Sequence, residues 1–431
     1  MASLKKIVSR ISSWRYRKLW YWLTGISIIL VSSFSFRDDL INNLGFISLT
    51  KALITHSTEN AEYAENFFRR SLMLKPNNPA AYRGLGFALA MQGYGSEALE
   101  AWREIQFDAT PVLVAWGQRA GREEQYDMAL FWYRNILEFD NTTAEAWYQI
   151  GKIQHERNQL EEAVESYRKA VSLGYTESVE SLGLVFFQQN EFAEAKAIWR
   201  EALIRFPDCS ERVNWWRDIV FALMAEKEWD RALEVITKAM KEFPDDSRLY
   251  FQLGVSLYEK NGDVEQATDA LGRAIALDES LPGSYRAMGD IMIHEERYKE
   301  AIVWYTEAIA RDAEKRTWYL MRADAAFLSD DTALALNLYQ DTIERFPDLA
   351  IAHYEIAKIY LLIGQQDEAI ESIEKALSLA ESPNLQYYLR AGNIYEQAHE
   401  NEKALQAYYQ VLTMAPNNET AQQAIDRLRE Q

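Results

Sequence analysis

The sequence predicts an all-α solenoid preceded by one transmembrane helix, and three observations carry that prediction. A constellation of small and aromatic residues recurs about every 34 residues from Ala52 to Pro416. The composition suits a helical array: 431 residues hold only 18 Gly and 9 Pro, and no Ser/Gly-rich linker interrupts the chain. The third observation is an uncharged run, Leu19–Phe36, set between a basic flank and an acidic body.

The uncharged run is 18 residues long, so as a helix it spans roughly 27 Å against a hydrocarbon core of about 30 Å. Trp20, Tyr21, Trp22, Ile26, Ile29, Leu30 and Phe34 cover every face, which leaves no polar side for water. Lys5, Lys6, Arg10, Arg15, Arg17 and Lys18 precede the run, while Arg37, Asp38 and Asp39 follow it. A basic flank is retained in the cytoplasm, and the cluster Trp14, Tyr16, Trp20, Tyr21, Trp22 suits the headgroup layer at the same end. The expectation is a basic cytoplasmic segment at 1–18, a transmembrane signal anchor at 19–36 and an extracytoplasmic body. Cleavage of a signal peptide, with small residues at Val31, Ser33 and Ser35, is the alternative and would leave a secreted body.

Beyond the run, residues 144–175 read AEAWYQIGKIQHERNQLEEAVESYRKAVSLGY. Small Gly151 and Ala163 stand where two helices would cross closely, Ala170 where the next unit would dock, and Trp147 and Tyr167 between them. With Ile150 and Leu160, this segment resembles a tetratricopeptide repeat, a helical hairpin of about 34 residues. The pattern returns at Gly183, Ala195 and Trp199, at Gly254, Ala267 and Ala274, at Gly289, Ala301 and Tyr305, and at Gly392, Ala404 and Tyr408. Unit starts fall near 45, 79, 110, 144, 176, 213, 248, 282, 316, 350 and 385. The resemblance therefore implies a right-handed superhelical solenoid of about eleven helical hairpins over 37–418.

Individual elements follow from local signals. Asp38 and Asp39 read as an N-cap for a first helix carrying Leu40, Ile41, Leu44 and Ile47, so the array begins almost at the membrane. Prolines at 76, 207, 244, 347 and 416 end second helices, because a ring without an N–H cannot continue them. Residues 419–431 form a capping helix, with Ala421, Ala424, Ile425 and Leu428 toward the last hairpin. Three units depart from regularity: the second is short, extra residues follow the fifth around Cys209–Trp216, and the seventh slips by one after Asn261.

Stacked hairpins curve, and in the family the resemblance points to, positions 2, 5, 9, 12 and 13 of each first helix face the concave groove. Those positions include Leu184, Phe187, Phe221, Met224, Phe251, Val255, Tyr258, Ile293, Leu320, Phe327, Leu328, Tyr354, Leu361 and Leu362. A groove so apolar reads as a partner-binding surface, punctuated by Arg217, Arg286, Asp290, Asp324 and Lys358. The alternative is that several of these residues belong to the inter-helix core. On the groove reading, Phe251→Ala and Phe327→Glu weaken partner capture and leave melting unchanged. The basic clamp that some family members use to hold a chaperone's terminal carboxylate is absent from these positions.

Charge and missing motifs narrow the function. The net charge is −19, but residues 1–37 carry seven Lys/Arg and no Asp/Glu, so the remainder has 39 basic against 65 acidic groups, a net −26. Such a body repels phosphate backbones, which excludes nucleic acid as a partner. Cys209 is the one cysteine, and the five histidines are dispersed, so no metal or cofactor site is expected. No nucleophile elbow, Walker motif or kinase signature occurs, and no catalytic residue or small-molecule substrate is expected. The chain thus reads as a membrane-anchored scaffold or adaptor, not an enzyme, that holds a protein or peptide in its groove and supports a membrane or envelope complex. A narrower alternative is an accessory factor for envelope polysaccharide or lipopolysaccharide machinery. A different class, an enzyme whose groove site uses Asp290, is the further rival.

Overall fold

A computed structural model describes residues 37–430. The segment 1–18 and the run 19–36, where the sequence places a membrane-spanning helix, lie outside the described residues. Among the described residues no helix is long and apolar enough to cross a membrane. They contain 23 α-helices and no strand. The described residues divide into two compact units, which part between Glu211 and Arg212.

The first unit stacks five helical hairpins: α1 (Arg37–Thr55) with α2 (Thr58–Leu74), α3 (Pro79–Met91) with α4 (Gly95–Arg103), α5 (Thr110–Arg122) with α6 (Tyr126–Phe139), α7 (Ala144–Glu156) with α8 (Leu160–Ser172), and α9 (Glu177–Gln188) with α10 (Phe192–Arg205). Six hairpins make the second unit. They are α11 (Arg212–Ala225) with α12 (Trp229–Glu242), α13 (Ser247–Asn261) with α14 (Val264–Leu277), α15 (Pro282–His294) with α16 (Tyr298–Arg311), α17 (Arg316–Leu328) with α18 (Thr332–Arg345), α19 (Ala350–Leu362) with α20 (Gln366–Leu379), and α21 (Leu385–Gln397) with α22 (Asn401–Met414). The last helix, α23 (Glu419–Glu430), buries Ala421, Ala424, Ile425 and Leu428 against the final hairpin and leaves its charged side to water.

Side-chain caps start many of these helices. Asn78 accepts from the backbone N–H groups of Ala80 and Ala81 at α3, Asp246 from Leu249 at α13, and Asp331 from Leu334 at α18. Helices α2, α10, α12, α18 and α22 each stop two residues before prolines 76, 207, 244, 347 and 416. Asp38 and Asp39, read as an N-cap, are themselves helical residues of α1, whose described part begins at Arg37.

The core lies within and between hairpins, where a large side chain of each second helix meets a small one of the first. A Cβ on Gly183 would stand 2.3 Å from the Trp199 ring, and one on Gly289 would stand 2.6 Å from Tyr305. Gly151 and Gly254 occupy the same crossing, against Tyr167 and Leu271. Trp199, Tyr167, Tyr305 and Leu271 are in turn fully or almost fully buried. Only a residue without a side chain lets the two backbones approach that closely.

The three irregular places have distinct forms. Helix α4 has only nine residues, and a left-handed Gln106 (φ 51°) redirects the chain after it. The extra residues after the fifth hairpin end at the boundary between the two units, Glu211 to Arg212. Helix α13 runs to 15 residues and is closed by Gly262 at φ 67°.

Candidate functional site

In the second unit, α13, α15 and α17 enclose one side of a cavity of about 460 Å³. Six of the residues that the sequence assigns to the groove meet there: Val255, Tyr258, Arg286, Asp290, Ile293 and Asp324. The heptad-like spacing within each first helix brings positions 5, 9 and 12 to one face, and successive hairpins set those faces side by side.

The charged residues are held by specific partners. Asp290 takes an ion pair from Arg286, one helical turn before it, and a hydrogen bond from the Tyr305 hydroxyl at 2.9 Å. Burial, then the neighbouring Asp290 carboxylate, push the Tyr305 phenol well above its ordinary range, so it donates at every physiological pH. One hairpin on, the device repeats, with Tyr339 donating to Asp324. Burial raises the Asp324 carboxyl, the Tyr339 bond lowers it, and Glu355 and Lys358 act on it in opposite directions, while solvent still reaches the residue. Arg217 pairs with Asp246 at 2.8 Å, the same carboxylate that caps α13. Lys358 pairs with Glu355 and stands over the rings of Phe327 and Tyr354.

The remaining assigned residues divide differently between groove and core. Phe221 is exposed (53%), whereas Met224, Phe251, Leu320, Phe327, Tyr354 and Leu361 are half-buried. Phe251 packs with the core around Ala287 and Met288, Leu320 and Phe327 with that around Tyr339, and Tyr354 and Leu361 with that of the last hairpins. These apolar residues therefore form the outer edge of the core, and Phe251→Ala is a stability change as much as a surface change. Leu184 and Phe187 lie on α9 of the first unit, both half-buried, with Phe187 edge-on to Phe192 at 5.1 Å between centroids.

The cavity also contains Glu259, His294, Tyr305, Met321 and Leu328. Tyr305 was legible as a recurrent ring of second helices, but not as a partner of a groove carboxylate, because that bond joins residues 15 apart on different helices. Among the described residues no group of three His, Cys, Asp or Glu is placed to hold a metal ion.

Comparison with known proteins bears on the fold. A tetratricopeptide repeat family matches residues 181–247, 218–284 and 320–385, and a second tetratricopeptide repeat family matches 144–173 and 385–418. Together they cover more than half of the chain. Over 382 residues the chain is 19% identical to the BBSome complex member BBS4 homolog of Drosophila melanogaster, which is 88% of this chain and 66% of that protein. Over 222 residues it is 21% identical to the mitochondrial import receptor subunit TOM70 of Homo sapiens, 49% of this chain and 36% of that one. The crystal structure of the C-terminal part of a repeat-containing protein from Cytophaga hutchinsonii is 15% identical and covers 56% of this chain and 98% of its own, with a TM-score of 0.47. The chain thus spans between about a third and two thirds of the length of these two curated relatives.

Proposed function

The chain belongs to the tetratricopeptide-repeat proteins, and on that premise we propose that it is a membrane-anchored scaffold, not an enzyme, that binds a protein or peptide partner in the groove of its second unit. The observation that supports this most directly is the 460 Å³ cavity, where half-buried apolar side chains and positioned carboxylates share one concave surface. Phe221, Leu328 and Leu362 extend the apolar surface on α11, α17 and α19, at 53, 47 and 65% exposure. A catalytic role for Asp290 is disfavoured by its own neighbours: both carboxylate oxygens are already engaged, one by Arg286 and the other by the Tyr305 hydroxyl. One relative is named as an import receptor subunit, a role of partner recognition that suits the same surface.

The membrane part of the proposal rests on residues 1–39. The uncharged run 19–36 has the length of a span, and its basic flank places the first 18 residues in the cytoplasm and the repeats outside it. Anchoring raises the concentration of the array near membrane partners, which converts weak groove contacts into useful occupancy. Support of an envelope assembly, including polysaccharide or lipopolysaccharide machinery, follows from that placement.

Photo-crosslinking in intact cells tests the docking role. A photoreactive residue in place of Leu328 yields a discrete adduct, whereas one in place of Glu307, an exposed position on second helix α16, does not. Equal adducts at both positions, or none at Leu328, would end the proposal.

A further inference from the structure

The cavity between α13, α15 and α17 has an unbalanced charge. Its lining cation, Arg286, is committed to Asp290, and Lys358 on the neighbouring hairpin is committed to Glu355. Glu259 and Asp324 also line the cavity, and among the described residues neither has an ion-pair partner; Asp324 takes the neutral hydroxyl of Tyr339. Two carboxylates thus face the opening with no ion pair of their own, Lys358 acting on Asp324 only at longer range, between apolar walls that include Ile293 and Leu328.

A neutral or acidic segment covering this cavity would strip water from those carboxylates and give nothing back, which is costly. A guanidinium or ammonium group instead makes charge-assisted hydrogen bonds with them, and its alkyl stem lies along the apolar walls. The ring of Tyr258 borders the same space, 5.9 Å between centroids from the His294 ring. The volume, about 460 Å³, holds a long basic side chain together with part of an apolar neighbour.

We infer that this cavity receives an Arg or Lys side chain from an extended basic segment of a partner protein. The inference rests on the groove being the docking surface and adds which chemistry it selects. The acidity of the repeat region as a whole favours approach of such a partner, so association slows as salt rises.

A random dodecapeptide display library panned against the full chain tests it. Enriched peptides carry Arg or Lys at one shared position, and replacing that residue by citrulline or norleucine in a synthetic copy weakens binding at least tenfold. The variants Glu259→Gln and Asp324→Asn each weaken the basic peptide about fivefold or more without lowering Tm; Asn keeps an acceptor for Tyr339, so folding is preserved. Enrichment of neutral or acidic peptides, displaced by a bulky substitution at Leu328, would keep the docking surface and overturn the basic assignment. Absence of any groove-dependent peptide would overturn both. Spermidine displacing the peptide at comparable concentration would assign the cavity to a free polyamine and overturn a peptide ligand.

Discussion

Turn residues carry the sharpest conformational demand in this chain. Each of the eleven hairpins closes through one residue in the left-handed region, yet only Gly93, Gly262 and Gly364 among them are glycine. The other eight are His56, Glu124, Asn158, Asn190, Lys227, Glu296, Asp330 and His399. A side chain in that region costs roughly 1–2 kcal/mol, so nothing near Gly364 need clash for a substitution there to destabilise. A Cβ at Gly364 meets nothing within 4 Å, and Gly364→Ala is expected to cost about 1 kcal/mol in urea unfolding. Glu296→Gly should be neutral or stabilising by up to about 1 kcal/mol, since relief of the positive φ is offset by glycine's entropy. A loss above that in the second variant would show that Glu296 has a role beyond the turn. His353 makes a different demand. Its Nε2 faces the Pro347 carbonyl at 3.1 Å, which can only accept, so the neutral ring donates there. Burial holds the imidazole below its ordinary pKa, and the Pro347 bond opposes that shift. A group with a depressed folded pKa contributes stability above its unfolded value, and that stability is lost as pH falls. Between pH 7.5 and 5.5 the fall in Tm should be smaller for His353→Gln than for the parent chain; equal slopes would refute the assignment.

At the scale of elements, the close crossing of first and second helices decides stability. Gly183→Ala drives a methyl into the fully buried Trp199 ring and is expected to cost about 1–3 kcal/mol, because a packed core has no room to relax. The same change at Gly272, whose Cβ would meet nothing within 4 Å, should be neutral or stabilising. Urea titration of the two variants checks the contrast. Helix α23 matters for another reason: without it the last hairpin would expose its core edge, so Ile425→Ala should cost about 2–4 kcal/mol. Most element boundaries were legible. Helices begin at 79, 110, 144, 282, 316, 350 and 385, where the repeat places unit starts, because a small residue at a fixed offset leaves a one-residue signal. Less legible was the signal at the head of the first helix: Asp38 and Asp39, read as its cap, are themselves helical residues.

For the molecule as a whole, charge distribution and apparent topology lead to a direct prediction. If residues 19–36 span a membrane with the basic flank inside, a reporter enzyme fused after Gln431 should be active only in the extracytoplasmic space; cytoplasmic activity would reverse the topology. The repeat architecture, the final capping helix and the excess of acidic over basic groups were determined by the sequence alone. Each is a property of residue type and interval, which one strand of text contains in full. Tertiary structure decided which groove residues remain available. It showed Phe251 and Phe327 to be partly core and joined Tyr305 to Asp290 and Tyr339 to Asp324. It also left Glu259 and Asp324 without ion pairs of their own beside paired Arg286. Those outcomes depend on where separate helices bring side chains within a few ångströms of one another, and helical spacing along the chain does not specify that distance.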